Sequence, residues 1–308
     1  MSASETSLEA QPVAERERSA SEQPARYGEV FDRGYKHYEG RRLGRGHAQW
    51  ALARYSIRRA LGIKKSWTAK VIPILLYVAV TFPVIISIGI RAFAPDANIL
   101  DYPDFFAFIF VIEGIFVATI APEMLCGDRR ENVLPLYFSR AITRLDYLLA
   151  KLFAAALLTL TISLIPAAVL WLGRQLLAEK PVSALGNNID DLGQIVVAGT
   201  MIAFYLGAIG LLISSFTGRK SVAVAVIVLG FIIAEAITGA LVTALDNDTL
   251  EEYLLFLSPT STIANLASRL FDDVGIGVEA PLWKILAVMA GVVVACCAGM
   301  YWRYVPDE

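Results

Sequence analysis

Residues 71–93 read VIPILLYVAVTFPVIISIGIRAF, with no charged side chain before Arg91. At about 1.5 Å per helical residue the stretch extends about 34 Å, enough to cross a hydrocarbon core of about 30 Å. Its apolar residues run continuously instead of alternating with polar ones, so it reads as a membrane helix and not as a barrel strand. Five more runs of this kind follow, at 105–125, 152–173, 192–216, 222–245 and 282–301. The expected fold is an all-α membrane protein with six transmembrane helices, its transmembrane domain covering residues 71–308. Composition agrees, because 56% of the 308 residues are hydrophobic and 18% are charged, against about 25% charged in soluble domains. An ordinary soluble enzyme is excluded.

The few charges are sorted by position. Residues 1–70 hold 14 Lys and Arg, the stretch 126–151 holds five more, and Arg219, Lys220 and Arg303 bring the total to 22 of 27, all falling on alternate sides of the runs. The intervening loops are acidic: Asp96, Asp101 and Asp104; then Glu179, Asp190 and Asp191; then seven acids against Arg269 alone between Asp246 and Glu279. By the positive-inside rule both termini are cytoplasmic. Residues 1–26 are rich in Ser, Glu, Ala, Gln and Pro without an apolar core, so they read as a disordered cytoplasmic tail and not as a secretory signal.

Residues 27–70 form a basic and aromatic lead-in. Tyr27, Phe31, Tyr35 and Tyr38 recur at helical spacing, either as a stripe packed on the protein's own cytoplasmic surface or as a docking element. After them Trp50, Ala53, Ile57 and Leu61 share one helical face while Arg54 and Arg58 lie on another. That pattern predicts an amphipathic interfacial helix, apolar side in the acyl boundary and cations toward anionic headgroups, with Gly62 ending it.

Several chemistries lack their residues. No G-x-x-x-x-G-K-[ST] loop is present, and both histidines, His37 and His47, sit in the polar head. Cys126, Cys296 and Cys297 are too few for a disulfide framework or a zinc site and read as buried apolar residues. No catalytic, cofactor or metal site is expected in this chain. The cations lie beside a membrane helix, so lipid or a protein partner is expected to face them, and no nucleic acid.

The most informative polar stretch is PEMLCGDRRENVLPLYFSRAITRLDYLLAKL, residues 122–152. It alternates a charge cluster (Glu123, Asp128, Arg129, Arg130, Glu131), an apolar knob (Leu134 to Phe138) and a basic lead-in (Arg140, Arg144, Lys151). Large apolar residues in a short loop mark an insertion into something. Here the sequence resembles the permease subunits of type-2 ATP-binding-cassette (ABC) transporters. Glu123, Gly127, Leu134, Leu136, Ser139, Arg140, Arg144, Tyr147 and Lys151 fill that family's pattern between its second and third spans, although Ala141 stands where proline is common. The resemblance implies two permease subunits, alike or different, around a pathway in the cell membrane. It also implies separate cytosolic ATPase subunits that carry ATP and Mg, and an exporter. The loop's short helix would seat in the ATPase with Leu134, Leu136, Tyr137 and Phe138 as anchors. Arg129, Arg130, Arg140 and Arg144 would pair around them, framed by Glu123 and Lys151. Arg140 and Arg144 could equally serve only the positive-inside bias and pair with lipid. A scaffold subunit of another complex and a stand-alone ion-coupled carrier are the other classes, the carrier lacking an evident inverted repeat.

Within the spans only Glu113 and Glu235 carry charge well inside, both about 12–15 Å from the acidic side at the helical rise. They either line a pathway or sit protonated in local hydrogen bonds, Glu235 with Thr238 or Thr161 and Glu113 with a neighbour such as Arg91. Small residues four apart recur at Ala203/Gly207, Gly230/Ala234 and Gly291/Ala295/Gly299, a spacing that permits close helix contact. In the outer loop 246–281, Ser258 caps, Pro259 opens, and Ile263, Leu266, Ala267, Leu270 and Phe271 share a face. A re-entrant or interfacial helix pair is expected there, either a gate at the outer exit or a surface lid.

Overall fold

The computed structural model describes residue 40 and residues 43–63, 67–94, 99–139, 142–245, 253–271 and 280–304. The chain divides into Met1–Arg42 and Leu43–Glu308, and the account below concerns the second unit. The expected tail 1–26, the aromatic stripe from Tyr27 to Tyr38, and Arg140 lie outside the described residues.

Ten α-helices are described: α1 (Arg45–Ala60), α2 (Thr68–Phe93), α3 (Tyr102–Arg130), α4 (Leu134–Phe138), α5 (Arg144–Leu176), α6 (Pro181–Asn187), α7 (Ile189–Phe216), α8 (Lys220–Leu245), α9 (Pro259–Leu270) and α10 (Leu282–Tyr304). Six of them, α2, α3, α5, α7, α8 and α10, are long and apolar enough to cross a membrane. Each contains one of the apolar runs, and α3 and α5 continue well past them into charged sequence.

The six are unequal. In α3, 67% of the apolar stretch is buried inside the chain, against 17% in α8, with α5 and α7 like the first and α2 and α10 like the second. The second, third and fourth spans therefore form the core, and the other three leave most of their apolar surface to lipid or another chain. Small residues make the core contacts close. A side chain at Gly207 would meet Ala155 and Ala156 of α5, and one at Gly210 would press on Val117 and Ala121 of α3. Gly230 and Gly291 face open space, while a side chain at Gly299 would press on Leu212 of α7, so of the expected small residues those on the fourth span and the last one on the sixth are used inside the chain.

Polar contacts tie like ends together. At one end Arg174 of α5 holds Asp101 at 2.6 Å and the Leu100 carbonyl at 2.7 Å. Beside them Phe271, just after α9, packs on Tyr102 and Phe106. At the other end Tyr147 of α5 meets Tyr304 of α10 at 5.9 Å, and Arg129 of α3 donates to the Ser215 carbonyl of α7. The ends grouped here are the ones the basic residues mark.

Of the expected apolar face of α1, Ala53 is buried and Ile57 and Leu61 are partly buried against the core, while Trp50 is exposed; the helix buries Leu52, Ala53, Ser56 and Ala60 on α5 and α3. Small Ala and Ser residues let the helix approach closely. Trp50, Arg54, Tyr55 and Arg58 are left exposed. α9 has the expected bounds and buries Ile263, Leu266 and Ala267, and at about 18 Å it is too short to cross.

Candidate functional site

At the basic end α3 terminates in a Schellman turn. Asn132 takes a left-handed φ of 50°, its N–H bonds to the Arg129 carbonyl (3.2 Å), and Val133 N–H bonds to the Asp128 carbonyl (3.2 Å). The chain then makes the single turn α4, opened by Leu134 and Pro135. α5 starts at a capping box: Asp146 N–H donates to Thr143 Oγ1, while Thr143 N–H donates to Asp146 Oδ2. Gln49 of α1 donates to the same carboxylate at 2.6 Å. Two fixed helix ends thus hold α4 between them.

The centre of the site is Asp128, fully buried. Its Oδ1 accepts from Arg59 Nη1 of α1 at 2.8 Å, and its Oδ2 faces Lys151 Nζ at 2.7 Å and accepts from Tyr147 OH at 2.9 Å. Arg59 also reaches Glu131 at 2.9 Å, and Lys151 the Met124 carbonyl at 3.0 Å. Two acids and two cations balance, which is how charges this deep are tolerated. Burial alone would lower the Arg59 pKa; the Asp128 and Glu131 carboxylates and the Tyr55 hydroxyl outweigh it and raise it. One network thus locks α1, α3 and α5 together beneath α4.

Gly127 makes room for it. A side chain there would collide with the Arg59 guanidinium. In an open helical position Gly→Ala would stabilise by about 0.5–1 kcal/mol. Gly127→Ala is instead expected to destabilise the chain by about 2 kcal/mol, the worth of the charge-assisted bonds Arg59 would lose, in thermal unfolding of the purified protein.

The apolar knob splits in two. Leu134, Tyr137 and Phe138 are half-buried against the chain's own core, the last two with ring centroids 5.9 Å from Tyr147. Burial first, and then the Asp128 carboxylate, push the Tyr137 phenol up to about 12, so it stays neutral. Leu136 points outward, 57% exposed, beside the exposed Pro135 and Ser139. An apolar groove of about 550 Å³ runs from Leu136 and Tyr137 along Ala48, Leu52 and Tyr55 of α1.

The other expected residues are spread around this feature. Arg130 is open, 67% exposed, at 4.0 Å from Glu131, while Arg144 lies over the Phe138 ring at 5.9 Å. Arg129 is turned inward to Ser215, Glu123 pairs with Lys220 of α8, and Lys151 is enclosed. Asp128 and Arg59 were not among the residues expected from sequence to carry the site. The signal that could have found them is Lys151, a lysine at a span boundary that needs a buried acid.

Glu113 and Glu235 are not brought into one site. Glu113 is fully buried on α3 and both its oxygens lack a hydrogen-bond partner, with the Ser163 hydroxyl of α5 as its polar neighbour, not Arg91. Glu235 lies on the exposed side of α8, and its carboxylate accepts from Ser258, the N-cap of α9, in place of Thr238 or Thr161. Thr161 is taken by the Tyr77 hydroxyl at 2.6 Å.

Compared with known families, residues 4–306 match the family model described as ABC-2 family transporter protein. No curated protein matches the chain.

Proposed function

Since the chain belongs to the ABC-2 family of transporter proteins and is the multi-pass, cell-membrane permease component of an ABC transporter, we propose that it exports its substrate and is driven through α4. Family membership implies a partner ATP-binding subunit. The observation that carries the coupling role is the contrast within α4. Leu136 is exposed on a single turn whose other large side chains and both flanking helix ends are pinned to a buried ion network. A rigidly mounted apolar side chain beside an apolar groove is what transmits a push from a partner, since a side chain on a loose loop would absorb it. Arg130 and Arg144 stand beside it as orienting charges, and Arg140 completes that set by its place in the sequence.

In the proposed orientation both termini and α4 are cytoplasmic, ATP and Mg are held by the ATPase, and a second permease subunit covers part of the exposed α2, α8 and α10. Coupled hydrolysis tests the reading: the chain, co-expressed with its ATPase in proteoliposomes, is expected to copurify with it and to change its hydrolysis rate. Neither happening would remove the permease from that pump.

Of the two intramembrane carboxylates, Glu235 is the one on an open face, and we assign it to the pathway side of α8. Glu235→Gln keeps an acceptor for Ser258 but removes the charge. It is expected to cut transport about tenfold, the scale of one charge-assisted contact, with copurification of the ATPase intact. Unchanged transport would dismiss the assignment.

A further inference from the structure

We infer that the exposed face of α1 binds the phosphate of an anionic phospholipid at the membrane boundary. This face lines an open groove of about 530 Å³ whose walls include Trp50, Arg54, Tyr55 and Arg58. Arg54 and Arg58 are one helical turn apart, a spacing at which like charges repel unless an anion sits between them. Among the described residues, the ion pairs at this end go to Arg59, Arg130, Lys151 and Lys220 and none to Arg54 or Arg58. Glu131, the acid on the groove's rim, is already held by Arg59 at 2.9 Å. The groove therefore presents two uncompensated guanidiniums, the group best shaped to grip a phosphate in two-point contact.

Its depth is set by α5. Trp50, 52% exposed, packs its ring 6.2 Å from Phe153, itself 44% exposed and two residues beyond Lys151, the last charge before the apolar run. Tryptophan and tyrosine at such a level are the side chains that sit among headgroups. With the inward face of α1 spent on α5 and α3, the outward face meets lipid at its Trp50 edge and charge at its Arg54 and Arg58 edge. A phosphodiester carrying acyl chains satisfies both edges, while a free anion would satisfy only the second. The leaflet follows from the orientation proposed above, but the binding itself does not depend on the transport reading.

Native mass spectrometry of the full chain, solubilised from bilayers of phosphatidylcholine and phosphatidylglycerol, reads the lipid irrespective of orientation or ATPase. Wild type is expected to retain phosphatidylglycerol in preference to phosphatidylcholine, undisplaced by millimolar inorganic phosphate. The double variant Arg54→Gln, Arg58→Gln is expected to bind it roughly thirty-fold more weakly, and Arg54→Lys, Arg58→Lys to fall between the two, keeping the charge but losing the two-point grip. Equal retention by the Gln pair would overturn the inference. So would displacement by phosphate, which would mark a soluble-anion site. In a parallel copurification with the ATPase, loss of the ATPase by the Gln pair with lipid retained would also overturn it and make the face a protein-docking surface.

Discussion

Asp128→Asn is expected to lower the stability of the folded chain by about 3–5 kcal/mol, the cost of leaving a buried charge without its partner. Lys151 is 1% exposed, and without the carboxylate it keeps the Met124 carbonyl at 3.0 Å and the face of the Tyr147 ring at 5.3 Å, neither of which carries a compensating charge. Arg59 fares better, since Glu131 remains at 2.9 Å and its side chain is 11% exposed. The loss therefore falls mainly on the Lys151 side. Adding Lys151→Met removes the orphaned charge, so the double variant is expected to recover more than half of the stability. A merely space-filling role for Asp128 would give no such recovery. Unfolding followed by the survival of monodisperse protein on heating gives both values.

Leu136→Asp is expected to do the opposite: leave unfolding unchanged and weaken ATPase binding by 2 kcal/mol or more, about thirty-fold, as for an anchor at the centre of an interface. The separation follows from burial. Leu136 gives little to the chain's own packing, while Phe138 packs on Tyr147, so Phe138→Ala should cost stability first and coupling only as a consequence. If Leu136→Asp kept full ATPase association and coupled hydrolysis, α4 would not be the contact.

The six spans were legible because an uninterrupted apolar run of membrane length has few other uses. Their ends were less so. The third run was read from residue 152, yet α5 begins at Arg144, because a hydropathy criterion stops at Lys151 while the helix continues with that lysine paired inside. Asp128 was hidden for a related reason. Five charged residues within nine positions look alike in sequence, and the one that turns inward is chosen by partners 19, 23 and 69 positions away: Tyr147, Lys151 and Arg59. Most of the apolar face of α1 is legible in the sequence, since Ala53, Ile57 and Leu61 all turn to the core; hydropathy also enrols Trp50, which is exposed, and passes over Ser56 and Ala60, which close packing on α5 buries. In α4 the sequence marked an apolar knob but not its division, since one turn of helix sends neighbours to opposite sides. The Glu113 and Glu235 pair looked matched because depth is readable from residue counts and facing is not.

Coupling through α4 is tested most directly by site-specific crosslinking. The native cysteines interfere little, Cys126 and Cys296 being buried and Cys297 half-buried. Leu136→Cys, carried in the complex with the ATPase in membranes and treated with a short thiol crosslinker against cysteines placed on the ATPase surface, is expected to yield a permease–ATPase adduct. The yield should change when ATP is added, and the inward-packed Phe138→Cys should give far less. An adduct from neither position, in a complex that still copurifies and hydrolyses ATP, would contradict the account and place the coupling contact elsewhere.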